Sequence, residues 1–145
     1  MVSLPQTAEY ALRAVCYIAE HESGGPIPVS AIAASLGAPQ NYLSKTLHQL
    51  GTLGVLSSVR GARGGYTLAA GGAELRLAEI VAPFLVASEH RCIMGRERCR
   101  DEAPCGAHWR WKDVKETTRA FFMDLTVADL IARAETSADA DAIIA

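Results

Sequence analysis

Cys92, Cys99 and Cys105 fall within fourteen residues, and His108 follows the last of them by three. Thiolate sulfur is the natural ligand of iron-sulfur clusters and of zinc, and imidazole serves as a fourth ligand for either. The spacing Cys92-x6-Cys99-x5-Cys105-x2-His108 bears on the choice between them. Zinc ribbons and knuckles grip one ion with cysteine pairs roughly two to four residues apart. The wider spacing here describes an open loop wrapped around a larger object, which suits an iron-sulfur cluster better than a single ion. A thiol redox switch is the other chemistry open to clustered cysteines.

Between the sulfurs, residues 93–98 and 100–104 contain Gly95 and the charged Arg96, Glu97, Arg98 and Arg100, with no apolar face from which to build a core. They read as a binding loop. Arg91, Arg96, Arg98 and Arg100 bring positive charge beside the sulfurs, which is expected to lower thiol pKa values and offset the charge of a thiolate-ligated cluster. Taken singly, each arginine reads as a solvated loop residue. Cys16 is a different case. Leu12, Val15, Cys16 and Ala19 recur at helical spacing, so this sulfur is read as core packing.

With 145 residues, 50% of them hydrophobic, the chain suffices for one ordinary domain with a real core, or for a small domain plus a dimerisation element. No apolar run approaches the roughly 18 residues of a membrane span. The opening Met1-Val2-Ser3-Leu4-Pro5-Gln6 lacks the basic and apolar regions of a signal peptide. A cytoplasmic protein without membrane association is expected. A reducing cytosol disfavours structural disulfides and favours metal or redox use of the clustered cysteines. The net charge of -2 does not advertise nucleic-acid binding, but its distribution does more. Acids gather at Asp124, Asp129, Glu135, Asp139 and Asp141, whereas residues 39–73 carry Lys45, Arg60 and Arg63 and no acid at all.

The elements that would hold these groups can be traced in order. Thr7 is suited to cap a first helix running to about His21, which Ser23-Gly24-Gly25-Pro26 ends. After Pro28, a short helix over residues 29–36 places Val29, Ile32, Ala33 and Leu36 on one side and is closed by Gly37. Pro39 fits the first position of the next helix, whose inward face is Tyr42, Leu43, Leu47 and Leu50. Two helices joined by a short glycine-containing turn form a helix-turn-helix, the second helix entering a major groove. Its outer face offers Gln40, Asn41, Ser44, Lys45 and His48 to base edges or phosphates, with Tyr42 beside them as a further DNA-contacting candidate. Strand-like residues 55–59 and 66–68 flank Arg60-Gly61-Ala62-Arg63-Gly64-Gly65, a β-hairpin with a glycine-rich, doubly basic tip. Arg60 and Arg63 there suit a narrow minor groove, and helix, turn, helix and hairpin make a winged helix.

Residues 75–86 read as a helix carrying Leu77, Ile80, Val81 and Phe84. Beyond the cysteine loop, residues 107–125 read as a long helix with Trp111, Val114, Phe121, Phe122 and Leu125, apolar groups expected to pack on a second copy of the chain. Thr126 then caps a short helix around residues 127–131. The expected fold class is mainly α with a small β-hairpin. It comprises a winged helix-turn-helix DNA-binding domain over residues 1–87, a cysteine-rich cluster-binding loop over 88–106, a dimerisation helix and C-terminal helix over 107–134, and a disordered tail over 135–145. No nucleophile, base and orienter set stands beside the cysteines, so no enzyme is expected. A small iron-sulfur electron carrier has no use for a basic wing.

With the Arg60-Gly61-Ala62-Arg63-Gly64-Gly65-Tyr66 wing and the Cys92, Cys99, Cys105, His108 loop in one chain, the sequence resembles the IscR and NsrR family of winged-helix transcription regulators, also called the Rrf-two family. Glu9-Tyr10-Ala11-Leu12-Arg13 and Tyr42-Leu43 add to the resemblance, which covers residues 1 to about 134. It implies a homodimer in which each long helix crosses its partner and each cysteine loop sits near the other subunit's first helix. It also implies a 2Fe-2S or 4Fe-4S cluster on Cys92, Cys99 and Cys105. The fourth ligand it implies is either His108 or, in the nitric-oxide-sensing pattern, an acid of the partner's first helix, where Glu9 stands one residue late. Cys105 and His108 at i, i+3 can face one site from a helix start, which favours His108. The expectation is a homodimer reading a two-fold, double-stranded DNA operator, its affinity set by cluster state. A cluster-free thiol switch is the alternative.

Overall fold

A computed structural model describes residues 4–85 and 92–136. Arg91, the 87/88 boundary and the tail beyond residue 136 lie outside the described residues. Helices α1 (Gln6–His21), α2 (Val29–Leu36) and α3 (Gln40–Thr52) precede a hairpin of β1 (Leu56–Val59) and β2 (Gly65–Leu68). Helices α4 (Leu77–Leu85), α5 (His108–Asp124) and α6 (Val127–Thr136) follow. The expected class, mainly helical with one two-stranded antiparallel hairpin, is the one observed.

Helix α1 starts ahead of the expected Thr7 cap, with Glu9 N–H donating to Pro5 O at 3.0 Å. Thr7 therefore sits inside the first turn. The stripe of Leu12, Val15, Cys16 and Ala19 is also only part of its inward surface: Ala8, Tyr10, Ala11, Ala14, Val15, Cys16 and Ile18 are buried, and Leu12 and Ala19 are half-buried. The cause is position, since α1 is the central helix, touched by α2, α3, α4, α6 and β2. Its alanines let those neighbours approach closely on several sides.

Gly37 closes α2 in the left-handed region (φ 63, ψ 28), with Ala38 N–H returning to Ala33 O at 3.0 Å. Pro39 is the N-cap of α3 rather than its first helical residue, its extended backbone (φ -61, ψ 122) turning the chain into the helix. Leu43, Thr46, Leu47 and Leu50 are buried, which anchors α3 to the core and leaves its opposite side to solvent.

The hairpin pairs Leu56 with Leu68 and Val59 with Gly65, and Leu56 and Leu68 turn into the core. Tyr66 is bonded on its other edge to Ile27, N–H to O at 2.9 Å in both directions, so the α1–α2 connection supplies a one-bridge third strand. Gly65 is required at that join, because a Cβ would collide with the Ile27 carbonyl.

Helix α5 buries only His108 of its seventeen residues. The chain then returns to the core. Leu77 N–H donates to Leu125 O at 2.9 Å and Val127 N–H to Leu75 O at 3.1 Å, and α6 lays Val127, Leu130 and Ile131 against the apolar cluster. Thr126 caps α6 as expected: its N–H and hydroxyl both donate to Asp129 Oδ2 at 2.9 and 2.8 Å, and Asp129 N–H returns to Thr126 Oγ1 at 3.2 Å. This reciprocal cap holds Asp129 below its ordinary carboxylate value, chiefly through the Thr126 N–H. The helix runs on to Thr136, past the expected end.

Candidate metal centre and nucleic-acid interface

The loop from Cys92 to α5 has little apolar material, and polar bonds shape it instead. Cys92 N–H donates to Arg96 O at 3.0 Å and Gly95 N–H to Cys92 O at 2.9 Å, with Gly95 at φ 80, so a tight turn presents the first sulfur. Arg96 Nη1 donates to Ala103 O at 2.9 Å and joins the two halves of the loop. His108 N–H donates to Cys105 O at 3.0 Å, which carries the third sulfur to the start of α5.

The structure brings Cys92 Sγ to 3.7 Å from Cys105 Sγ, and Cys99 stands near enough to influence the acidity of Cys92. Two thiolates on one tetrahedral ion, at metal–sulfur bonds of about 2.3 Å, stand about 3.8 Å apart. The Cys92–Cys105 pair thus has the spacing of two ligands on one tetrahedral metal, and three thiols fit an iron-sulfur centre by donor type. His108 does not join them here. It is buried, with Nε2 at 2.8 Å from Asp101 Oδ1, while Asp101 Oδ2 accepts from Lys112 Nζ at 2.7 Å. Among the described residues, no group of three or more His, Cys, Asp or Glu side chains is arranged to hold a metal ion. Glu9 is exposed on α1 and paired with Arg13 on the next turn at 3.3 Å.

Thiol acidity here has a cause other than the expected one. The Cys92 thiol is lowered chiefly by the Met94 backbone N–H, then by its neighbours Cys105 and Cys99 and the Arg96 backbone, against desolvation. Cys99 moves the opposite way from the arginine-based expectation: loss of water raises it, the bond to Cys92 adds to this, and the cation that opposes the rise is Lys115 of α5. Arg96 is occupied as a loop staple. Lys112 and then His108 hold the Asp101 carboxyl below its ordinary value. An open cleft of about 670 Å³ lies beside this group, lined among others by Arg98, Cys99, Asp101, His108 and Lys115. Cys16 stands apart. It is buried in the core, its thiol pushed up to about 12 by desolvation and then by Glu20.

Asp101, Lys112 and Lys115 were not legible as site residues. Asp101 meets His108 through a loop that has no period, so no spacing announces the pair. Lys112 stands one helical turn after His108, and that i, i+4 relation was the one available signal.

Gln40, Asn41, Ser44, Lys45 and His48 are exposed on α3, and Arg60 and Arg63 are exposed at the hairpin tip. Lys45, Arg60 and Arg63 make no ion pair among the described residues, which leaves their charge available to an anionic partner. Gly61 adopts φ 113 and Gly64 N–H donates to Gly61 O at 2.9 Å, so the tip is a tight turn that can approach another surface closely. Tyr42, expected both on the inward face and at DNA, stands at the margin. It is 39% exposed, its ring meets Tyr10 and its hydroxyl bonds to Thr7 Oγ1.

No helix among the described residues is long and apolar enough to cross a membrane. The Rrf2 family profile, described as "Iron-dependent Transcriptional regulator", matches residues 4–133. The HTH-type transcriptional regulator IscR of Serratia proteamaculans (strain 568) is 28% identical over 128 residues, covering 88% of this chain and 78% of that protein. Among solved structures, T. potens IscR superposes with a TM-score of 0.72 at 24% identity, over 93% of this chain and 90% of that one. CymR (YrzC), the global cysteine regulator of B. subtilis, superposes with a TM-score of 0.72 at 23% identity, over 92% and 98%. These likenesses set aside an electron carrier or an enzyme, because the matched proteins are regulators. With a winged helix built on α2, α3 and the hairpin, and a family match over nearly all of its length, the chain belongs to the Rrf2 family of DNA-binding transcriptional regulators.

Proposed function

We propose that the protein is a homodimeric transcription regulator whose affinity for a two-fold DNA operator is set by an iron-sulfur cluster on the loop beginning at Cys92. The observation that carries this reading is the approach of Cys92 Sγ to 3.7 Å from Cys105 Sγ on a loop that also carries Cys99. Cys92, Cys99 and Cys105 would hold the cluster, with His108, three residues after Cys105, as the fourth donor. Because Asp101 occupies Nε2 of His108, Nδ1 is the nitrogen left for a metal, and Asp101 takes the part of the carboxylate that orients a ligating histidine. When bound, the cluster supplies redox- and nitric-oxide-reactive iron. The chain's own task is to present three thiolates on a loop that connects α4 to α5.

Dimerisation is supported by the surface α5 leaves open. Val114 and Phe121, seven residues apart and so on one helical face, are both exposed, as are Trp109 and Met123. A two-fold dimer would set its α3 helices to read major grooves about 34 Å apart, so that a change in their separation weakens binding without altering a base contact. The test uses protein purified without oxygen and a duplex selected by that protein from a randomised library. Iron and acid-labile sulfide near two or four per subunit, with affinity altered in Cys99→Ala, is the expected result. Affinity identical in loaded wild type and Cys99→Ala would sink the coupling.

A cluster-free thiol switch is the second reading, favoured by the lowered Cys92 thiol beside Cys105. There, hydrogen peroxide would take two electrons and two protons from the pair, leaving a Cys92–Cys105 disulfide and two waters. Visible absorbance of the fresh protein separates the two readings, since thiols and disulfides are colourless.

A further inference from the structure

We propose that Tyr42 is a positioning residue. Its hydroxyl, bonded to Thr7, locks the rotation of α3 to the first turn of α1, and Tyr42 does not itself touch DNA. Three contacts meet at this point. Thr7 Oγ1 and the Tyr42 hydroxyl are hydrogen-bonded. The Tyr42 ring stands edge-on to Tyr10, with centroids 5.9 Å apart and planes at 70°. The Tyr10 hydroxyl in turn accepts from Gln6 Nε2 at 3.4 Å. The first turn of α1 thus reaches the first turn of α3 through two tyrosines and two polar side chains.

Leu43, Leu47 and Leu50 hold α3 to the core, but apolar contact is non-directional and tolerates a small roll of the helix about its axis. A hydrogen bond and an edge-to-face ring pair are directional. Tyr42 lies between Asn41 and Leu43, in the same turn as Gln40, Ser44 and Lys45. Any roll of α3 would sweep these side chains sideways across a groove while leaving the core intact. The bond therefore fixes where the polar face points. It also gives a displacement of the first turn of α1, which carries Glu9, a direct route to the recognition helix.

This inference rests on α3 being the DNA-contacting helix and is independent of any cluster. The experiment measures binding to the library-selected duplex and to a scrambled duplex for Thr7→Val, Tyr42→Phe, the double variant, Thr7→Ser and Lys45→Ala. Thr7→Val and Tyr42→Phe keep shape and remove one hydroxyl each. Each is expected to weaken selective binding by roughly two- to tenfold. The double variant should be no weaker than either single one, Thr7→Ser should restore binding, and thermal midpoints should stay close to wild type. Wild-type affinity in Thr7→Val together with a loss in Tyr42→Phe would make Tyr42 a DNA contact and overturn the proposal. Additive losses in the double variant would also overturn it, as would unchanged binding in both single variants. Full binding by Lys45→Ala would remove α3 from the interface, and the proposal with it, without bearing on the cysteines.

Discussion

The helix-turn-helix with its wing and the cysteine loop are built from opposite materials. Around α3 the fixed points are apolar: Leu43, Leu47 and Leu50 are fully buried, and Leu56 and Leu68 seat the hairpin in the same cluster. In the loop they are polar and few, namely the turn at Gly95, the Arg96–Ala103 bond and the His108–Asp101–Lys112 chain. A close-packed core leaves α3 little freedom beyond the small roll that the Thr7–Tyr42 bond would restrain, so its exposed polar face is largely pre-formed. A loop held by a few, mostly exposed polar bonds can rearrange at small cost, as the proposed sensing role would require.

This contrast leads to expected outcomes of decreasing size. Leu47→Ala should destabilise the fold by roughly 2–5 kcal/mol, read by urea unfolding. Asp101→Asn, in the loop, should leave the urea midpoint unchanged while altering the visible circular dichroism of reconstituted protein. Equal midpoints for both variants would erase the distinction between the two regions. Lys45→Ala and Arg63→Ala should weaken binding to the selected duplex, each lowering the slope of log affinity against log salt by about 1 if it neutralises one phosphate. A cysteine variant of the loop should leave that slope as it is.

The thiols provide a third comparison. In cluster-free native protein at pH 8, Cys99 and Cys105, both half-buried, should be alkylated, whereas Cys16, with its thiol pushed up to about 12, should react only after unfolding. Mass spectrometry of native Cys16 carrying label would show that α1 opens. The smallest effect concerns Asp129. Its folded carboxyl lies below the ordinary 3.8, so the stability it lends to α6 is present above that value and disappears as pH falls through the folded pKa. The gap in thermal midpoint between wild type and Asp129→Asn should be constant at neutral pH and close in acid. A gap independent of pH would mean that the cap does not act through the charge.

Local rules carried the winged-helix half of the molecule from sequence alone. The period of Ile32, Ala33 and Leu36, the left-handed glycine at position 37, the Leu43, Leu47 and Leu50 ridge and the Arg-Gly tip each follow from residues close together in the chain. So does the capping of α6 by Thr126. The burial of Cys16 was also legible, because a helical stripe needs only its own segment to be read.

Other features were set by contacts between distant segments. Residue spacing marked the cysteines as a chemical group, but which sulfurs meet, and that His108 turns to Asp101, depended on how an aperiodic loop folds back on itself. Arginine count suggested lowered thiols, yet the Met94 backbone lowers Cys92 while desolvation raises Cys99, since acidity follows distance and burial rather than composition. Composition and periodicity therefore determined the elements, the wing and the presence of a thiol site. The central place of α1, the Thr7–Tyr42 bond and the partners of each site residue were decided by tertiary packing, because a hydrogen bond between residues 35 positions apart leaves no mark on either local sequence.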